Sequence, residues 1–353
     1  MILNQRNTDK VFSILIIDEG SPGHLSQSLG VVSVLEEEGV DCSVEIIRFR
    51  YRLKGVFRPL MRFVMNSLPA RLYTRLLPMC GELDERVIAR TPNVIISSGG
   101  KSIFASYVLK HRYQCKSIFV GIPDPYPDRW FDLIVSPVKK PFFVPYVVTG
   151  MIPNSMTPEV IKRDGAEYWR GRDLPKRTWA LFIGGNSKSH HYTEEEWDAL
   201  LIHMVTLSQT YGIKWLVTTS RRTPLSVEER LATMSRSDVI EELVLYNREP
   251  KKVLKPFLYA AERIFVTQDS LTMASEAYNS QKPVTLLTPM SLKIKKGSDF
   301  EKVIDTFSSL PGVDKVPMVK LDTYLPRHAQ KSDCPEREWG RRLKEILLTS
   351  NAL

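Results

Sequence analysis

Residues 263–287, RIFVTQDSLTMASEAYNSQKPVTLL, form the stretch that decides the fold. The apolar run Arg263–Thr267 predicts a buried strand, Ser270–Asn279 predicts a helix, and Val284–Leu287 predicts a second strand. A strand, a helix and a strand in this order make the crossover unit that joins parallel neighbours in a sheet. The stretch therefore indicates an α/β protein with a parallel sheet.

The same alternation continues on both sides of this stretch and breaks at residues 153–178, where Pro and Gly stand among charges without periodicity. We interpret that segment as a linker. A chain of 353 residues fits two domains of ~150 residues. We predict two facing Rossmann-like domains with a cleft between them, over residues 1–152 and 179–333, and a C-terminal helical segment over 334–353. The further predicted elements are the strands Val11–Ile17, Val44–Ile47, Val94–Ser97, Ser117–Gly121, Leu133–Val135, Val144–Thr149, Trp179–Ile183, Lys214–Thr218 and Leu243–Leu245, and the helices His24–Glu38, Glu82–Arg90, Ser102–His111, Glu194–Tyr211, Val227–Met234, Lys251–Ala261 and Glu336–Leu348.

Composition narrows the class of protein. Hydrophobic residues make up 43% and charged residues 25%, which allows a packed core and excludes a wholly disordered chain. No apolar run approaches the ~20 residues that span a bilayer, and the polar N-terminus lacks a signal-peptide core. Four dispersed cysteines without a C-x-x-C motif argue against a zinc ribbon or a disulfide framework. We therefore expect a cytoplasmic protein.

The net charge of +9 is unevenly distributed, because eight bases and no acid lie between Glu45 and Glu82. Aromatic and other apolar residues alternate with these bases, a composition that suits a surface meeting anionic lipid headgroups. A helix with a basic polar face and a nucleic-acid patch are the alternatives. We favour peripheral contact with the inner face of the cytoplasmic membrane and expect no nucleic-acid partner. The predicted membrane-contact residues are Arg48, Arg50, Arg52, Lys54, Arg58 and Arg62.

Ligands of open α/β sheets bind beyond the carboxyl ends of the strands, so the turns there are the candidate sites. In the first half, His24 stands in the first turn of a predicted helix, where the positive helix end favours the neutral imidazole that a general base needs. Capping or packing is the alternative role for His24. Asp124, in Pro123-Asp124-Pro125, is a second candidate base, and a turn aspartate flanked by prolines is the alternative role. The other candidates at these turns are Gly23, Gln27, Ser98, Gly99 and Gly100.

In the second half, three turns offer groups for phosphate: Gly184–Ser187, Thr218–Pro224 and Val266–Glu276. Free N–H groups at the helix start at Ser270 favour an anion, and Arg221 and Arg222 match diphosphate oxygens, with surface arginines that bind no ligand as the alternative. Glu276 lies ~9 Å further along that helix, where its carboxylate would hold ribose hydroxyls; an ordinary solvated helix glutamate is the alternative. Asp269 is most simply an N-cap, and the His190-His191 pair is a weak metal motif. The candidate donor-site residues are Gly185, Ser187, Arg221, Arg222, Asp269, Ser270, Thr272 and Glu276, with no metal ligand.

These motifs together resemble one family over nearly the whole chain. They are Gly23-His24 with Gln27 and Gly30, then Ser-Gly-Gly, Gly-Gly-x-Ser, Thr-Ser-Arg-Arg-Thr-Pro and Thr-x-Asp-Ser-x-x-Met-x-Ser-Glu-Ala before Lys282-Pro283-Val284. They resemble the bacterial glycosyltransferase-like proteins related to the plant elongated-mitochondria fission protein. The pattern is more distantly similar to the peptidoglycan N-acetylglucosaminyl transferase. There the glutamate seven residues before a proline binds the donor ribose, a role that carries to Glu276, and the histidine of the Gly-Gly-His turn carries to His24.

The resemblance implies a GT-B fold and a metal-independent glycosyltransferase. The donor would be a nucleotide-sugar, most simply a UDP-sugar, and the acceptor a lipid-linked saccharide such as lipopolysaccharide core. Asp269-Ser270 replaces the distant family's Ser-Gly, and Pro22-Gly23 replaces its Gly-Gly, so donor phosphate geometry is expected to differ. We expect no cofactor, since the nucleotide-sugar is itself the donor substrate. The rival function is a non-catalytic membrane-docking adaptor with the same fold. An epimerase with bound NAD is disfavoured, because no G-x-G-x-x-G follows any predicted strand.

Overall fold

The computed structural model describes residues 11–52, 81–83, 88–124, 126–323 and 338–349. The chain divides into two compact units, the first made of Met1–Ser155 with Arg337–Leu353 and the second of Met156–Glu336. Each unit holds a mainly parallel sheet with helices packed against it. Among the described residues, no helix is both long enough and apolar enough to cross a membrane.

The described part of the first unit contains a seven-stranded sheet in the order β3-β2-β1-β4-β5-β6-β7. All neighbours pair in parallel except β2 and β3, which are antiparallel. Parallel pairing requires crossovers, and the helices provide two of them. The strands are β1 (Phe12–Asp18), β2 (Cys42–Tyr51), β3 (Gly81–Leu83), β4 (Val94–Ser98), β5 (Lys116–Val120), β6 (Leu133–Ser136) and β7 (Tyr146–Val148), and the helices are α1 (Pro22–Glu37) and α2 (Ile103–Tyr113).

Successive residues of β1 point to opposite faces of the sheet, and both faces are buried. Leu15 and Ile17 pack in a cluster with residues of α2, while Ile14 and Ile16 pack in a second cluster with residues of α1. The C-terminal helix belongs to this second cluster through Leu343 and Leu347. The strand core of this unit is thus covered by a helix from the far end of the chain.

The described part of the second unit contains a six-stranded parallel sheet in the order β11-β10-β8-β12-β13-β15. A two-stranded antiparallel ribbon joins β9 and β14. The strands are β8 (Thr178–Phe182), β9 (His190–His191), β10 (Lys214–Thr218), β11 (Ile240–Val244), β12 (Arg263–Thr267), β13 (Val284–Thr288), β14 (Ser291–Leu292) and β15 (Val313–Pro317). The helices are α3 (Pro158–Tyr168), α4 (Glu194–Tyr211), α5 (Leu225–Met234), α6 (Leu254–Ala260), α7 (Leu271–Tyr278) and α8 (Asp299–Ser308), followed in the chain by α9 (Glu338–Thr349) of the first unit.

Several features differ from the sequence analysis. The predicted helix Glu82–Arg90 is wrong in its described part, because Gly81–Leu83 form the edge strand β3 and residues 88–90 are not helical. The segment interpreted as a linker contains α3, whose Gly165 packs so closely on Tyr259 that a Cβ would lie 2.3 Å from the Cβ of Tyr259. Only Ile161 and Gly165 of α3 are buried, so its apolar side is short and is easily missed among charged neighbours. Helix α8 and strand β15 were also not predicted.

The C-terminal helix α9 follows the predicted position within two residues at its start. Gly340 lies against α1, where a Cβ would be 2.4 Å from a methyl carbon of Val34. Lys344 donates to the carbonyl oxygen of Glu38 at 2.6 Å. A glycine at the contact therefore lets α9 approach α1 closely, and a lysine satisfies the end of α1.

Candidate functional site

The carboxyl ends of β10, β8 and β12 are neighbours in the second unit, so the turns that follow them meet at one edge of the sheet. The carbonyl oxygen of Gly184, after β8, accepts from the hydroxyls of Ser220 at 2.8 Å and Thr223 at 2.7 Å, after β10. A Cβ on Gly185 would lie 2.1 Å from the carbonyl oxygen of Arg222, and its φ is +146°. Only glycine permits this contact.

Asp269, after β12, holds the three turns together. Its carboxylate accepts from the backbone N–H of Gly185 at 3.1 Å and from the guanidinium of Arg222 at 2.5 Å. The side chain is fully buried, and burial raises the pKa of Asp269, an effect that Arg222 only partly offsets. The interpretation of Asp269 as an N-cap is wrong, because Ser270 is the N-cap of α7. The carboxylate is instead occupied within the protein.

The N-terminus of α7 retains its capacity for an anion. The Ser270 side chain makes no capping hydrogen bond, and the first turn carries no acidic residue. The first N–H groups of a helix have no partner inside the helix, so they favour negative charge nearby. Thr272 is half-buried in this first turn, and Glu276 is 9% exposed in the next one. The predicted donor residues of α7 therefore lie along one short helix.

The two predicted arginines differ in their surroundings. Arg222 is fixed by Asp269 and keeps 37% of its side chain exposed. Arg221, one residue earlier, is exposed. The Arg222 guanidinium is thus held at the edge of the sheet by Asp269, whereas the Arg221 side chain is exposed.

A cavity of about 530 Å³ lies beside these turns, and the sequence analysis did not identify it. Thr218 and Thr219 line it at the end of β10, and Met273 lines it from α7, three residues before Glu276 and hence on the same side of that helix. The sequence offered one signal for this cavity, the position of the segment after β11. That segment starts at the same edge of the sheet as the turns after β10 and β8, because parallel strands end at a common edge. The remaining lining residues are Met156, Asp164, Glu167, Tyr168, Lys251, Lys252, Val253, Leu254, Lys255 and Pro256.

Ser187 lies in a turn closed by His190. The Ser187 hydroxyl accepts from the N–H of His190 at 3.1 Å, and the His190 imidazole contacts Ser189 at 3.0 Å and Gln268 at 3.3 Å. Burial lowers the pKa of His190, which keeps it a neutral hydrogen-bonding group. Within the described ranges, no group of three or more His, Cys, Asp or Glu side chains is placed to hold a metal ion. The pair His190-His191 therefore belongs to the ribbon of β9 and β14.

In the first unit, His24 lies in the first turn of α1, and its Nδ1 is 2.7 Å from Oε1 of Glu19. The second carboxylate oxygen of Glu19 accepts from the N–H of Lys101 at 2.7 Å. A Cβ on Gly99 would lie 2.3 Å from Nδ1 of His24, which explains a glycine there. The turns after β1 and β4 are joined by this contact. The sequence analysis missed Glu19, although it lies in the turn after the first predicted strand.

The structure brings Gln27 and Ser98 together, since the Ser98 hydroxyl donates to Oε1 of Gln27 at 2.6 Å. Gly23 and Gly100 are half-buried in the same two turns. Asp124 is exposed beyond β5 and pairs with Lys140. The contacts of the described residues thus bring His24 and Gln27 of α1 to the turn after β4. Asp124 is not part of this group.

The basic segment is described only at its start. In β2, Phe49 and Tyr51 are buried, with ring centroids 4.9 Å apart, while Arg48 and Arg50 on the other face are exposed. Arg52, just after the strand, is also exposed. The alternation of aromatic and basic residues is therefore that of a strand, so Phe49 and Tyr51 do not face a lipid surface. The remaining predicted contacts, Lys54, Arg58 and Arg62, lie outside the described residues.

The comparisons with known proteins agree with this architecture. The family model described as mitochondrial fission ELM1 matches residues 22–306, and no curated protein matches the chain. A Listeria monocytogenes protein described as a UDP-N-acetylglucosamine 2-epimerase is 13% identical, with 98% of each chain covered and a TM-score of 0.56. The UDP-GlcNAc 2-epimerase of Neisseria meningitidis, solved with UDP-GlcNAc bound, is 10% identical over 96% of this chain and 100% of that one, with a TM-score of 0.53. Acinetobacter baumannii MurG is 10% identical over 95% and 94%, with a TM-score of 0.46. The two structures with TM-scores above 0.5 share the GT-B fold with this chain.

Proposed function

Since the chain belongs to the mitochondrial fission ELM1 family and has the GT-B fold, we propose that it is a glycosyltransferase that uses a nucleotide-sugar, and specifically a UDP-sugar. One observation carries the proposal. The turns after β8, β10 and β12 are tied together through Asp269, and the uncapped N-terminus of α7 lies among them with Arg221 and Arg222. Hydrogen-bond donors and positively charged guanidinium groups at one edge of a parallel sheet suit a diphosphate.

The neighbouring groups suit the rest of a nucleotide. Glu276 lies on the same side of α7 as Met273, and Met273 lines the 530 Å³ cavity. In this proposal the diphosphate lies at Ser270 and Thr272, the ribose hydroxyls bind the Glu276 carboxylate, and the base enters the cavity. The solved structure from Neisseria meningitidis, with the same fold, holds UDP-GlcNAc, which supports a ligand of this class.

His24 is proposed as the base that deprotonates the acceptor hydroxyl, since its imidazole is 39% exposed and is held by Glu19 in the first unit. Asp124 becomes the less favoured base because it is exposed and paired with Lys140. The acceptor in this proposal remains a lipid-anchored saccharide such as lipopolysaccharide core. The exposed side chains of Arg48, Arg50 and Arg52 support it, because basic side chains are attracted to the anionic membrane surface in which such an acceptor would be anchored.

The leaving diphosphate needs charge stabilisation, and we propose that α7 and the arginines provide it without a metal ion. Turnover should then be unchanged by EDTA. Loss of activity in EDTA with recovery in Mn²⁺ would show that a cation does this work.

The test of the donor site is calorimetric titration with UDP, UDP-sugars and uridine. We expect UDP and at least one UDP-sugar to bind, and Glu276→Ala to weaken binding by ~1–3 kcal/mol, the cost of leaving polar partners unsatisfied. Glu229→Ala, which changes an exposed glutamate on α5, serves as the control. If no nucleotide binds the folded protein, the proposal fails. Binding without turnover on any acceptor would favour an adaptor, and a donor epimerised without acceptor would favour an epimerase.

A further inference from the structure

Glu19 is buried at a point where the chain leaves the sheet. Its side chain is 3% exposed although it directly follows β1. Both carboxylate oxygens are used, Oε1 by Nδ1 of His24 and Oε2 by the N–H of Lys101, each at 2.7 Å. A carboxylate placed in this way fixes the imidazole ring from one side and is itself held by a turn 82 residues further along the chain.

The surrounding backbone maintains this arrangement. Gly20 has φ +84°, a left-handed conformation that turns the chain back towards α1, and its N–H donates to Asp18 at 2.7 Å. Gly99 packs against both partners, because a Cβ there would lie 2.3 Å from Nδ1 of His24 and 2.6 Å from the Glu19 carboxyl carbon. The pair is therefore enclosed by two glycine turns and has little room for another geometry.

Glu19 is ionised at neutral pH. Burial raises the pKa of this carboxyl, but the hydrogen bonds from His24 and from the Lys101 backbone outweigh burial and bring the pKa below its ordinary value. An ionised carboxylate only accepts hydrogen bonds. Nδ1 of a neutral His24 must then carry the proton, and its Nε2 keeps the lone pair.

We propose that Glu19 is a positioning residue that holds His24 in the tautomer with a basic Nε2. The inference rests on the proposed transfer for its catalytic meaning, whereas the tautomer itself does not depend on any reaction. In the transfer, the acceptor O–H bond breaks and its proton moves to Nε2. The acceptor oxygen bonds to the anomeric carbon, and the bond from that carbon to the diphosphate oxygen breaks with its electron pair leaving on the nucleotide.

The test uses the full chain labelled with ¹⁵N-histidine at about pH 8, where an ordinary imidazole is neutral. The chain has six histidines, and His24→Gln identifies the His24 signals by difference. We expect protonated Nδ1 and unprotonated Nε2 in the wild type. In Glu19→Gln, the amide group turns a donor towards Nδ1, so the proton should move to Nε2. Glu36→Gln, an exposed change on α1, should leave the signals in place.

Kinetics supply the second measurement. Glu19→Gln should lower kcat by ~10²- to 10⁴-fold, the range of general-base catalysis, with the donor KM unchanged. Glu19→Asp, which keeps the charge, should recover part of that loss.

A Nε2-protonated His24 in the wild type, or an unchanged tautomer in Glu19→Gln, would overturn the proposal. If the tautomer switches as expected but no donor is consumed by the wild type, the glycosyltransferase function fails while the positioning role stands. Thermal unfolding and UDP binding of each variant separate these results from misfolding.

Discussion

Arg222 is bonded to Asp269 whereas Arg221 is exposed, so the two adjacent arginines have different surroundings. Arg222 is the charged partner of a carboxylate whose side chain is fully buried, and 37% of its own side chain stays exposed. In the proposed site both arginines would bind a diphosphate, and Arg222 in addition pairs with a buried group. A buried charge left without its partner costs much more than an exposed one.

We expect Arg221→Ala and Arg222→Ala to weaken the binding of UDP more than that of uridine, because guanidinium meets phosphate charge. Arg222→Ala should in addition lower the free energy of unfolding by ~1–3 kcal/mol, whereas Arg221→Ala should change it by less than ~0.5 kcal/mol. Calorimetry and urea denaturation measure the two effects. Equal losses for UDP and uridine would assign both arginines to folding.

Glu19 makes stability depend on pH with a defined sign. Its carboxyl has a lowered pKa in the folded state, so its contribution is complete above the ordinary value of 4.5 and is lost as the pH falls through the folded value. Glu19→Gln removes this titration. The difference in unfolding free energy between wild type and Glu19→Gln should therefore shrink as the pH drops below about 4.5, in urea denaturation series from pH 7 to 3. A difference that grows on acidification would contradict the lowered pKa.

At the scale of elements, α3 forms one wall of the cavity and depends on a single glycine. Asp164, Glu167 and Tyr168 of this helix line the cavity, and Gly165 lets it approach α6. Asp164 is also bonded to Lys255 of α6. The segment that the sequence presents as a linker therefore contributes to the proposed nucleotide site.

Gly165→Ala should lower the unfolding free energy by ~1–3 kcal/mol, since the added methyl group has no space beside Tyr259. It should also weaken nucleotide binding, because α3 must move away from the cavity. Ala166→Ser, an exposed change one residue later, is the matched control and should have little effect on either quantity. Unchanged UDP affinity in a destabilised Gly165→Ala protein would show that the nucleobase does not bind in this cavity.

At the scale of the whole molecule, each unit has its own set of functional groups. The second unit holds the proposed nucleotide site, and the first holds Glu19, His24 and the exposed arginines of β2. Arg50 at the end of β2 and Arg52 just after the strand are exposed, while the neighbouring Phe49 and Tyr51 are buried. Attraction to an anionic surface should therefore come from charge in this described part.

Arg50→Glu with Arg52→Glu should reduce flotation with vesicles containing phosphatidylserine, by ~1 kcal/mol per base and less at higher salt. UDP binding should persist, because it belongs to the other unit. Lys162→Glu with Lys176→Glu makes the same change of charge at exposed positions of the second unit and should leave flotation intact. If the β2 variant still floats like the wild type, the membrane contact does not involve these arginines.

The sequence by itself determined the class of fold and the position of the turns that form the candidate site. Helix Glu194–Tyr211 and strands Lys214–Thr218 and Arg263–Thr267 have the predicted bounds, because hydrophobic period and helix capping are local signals. Since parallel strands end at a common edge, the turns after them could also be predicted to meet. Only the tertiary structure decided the individual partners. Asp269 reaches Gly185 across 84 positions, and Glu19 reaches Lys101 across 82. Those pairings, and the burial of Phe49 on the face opposite the exposed arginines, depend on how distant segments pack. Local sequence patterns do not specify such packing.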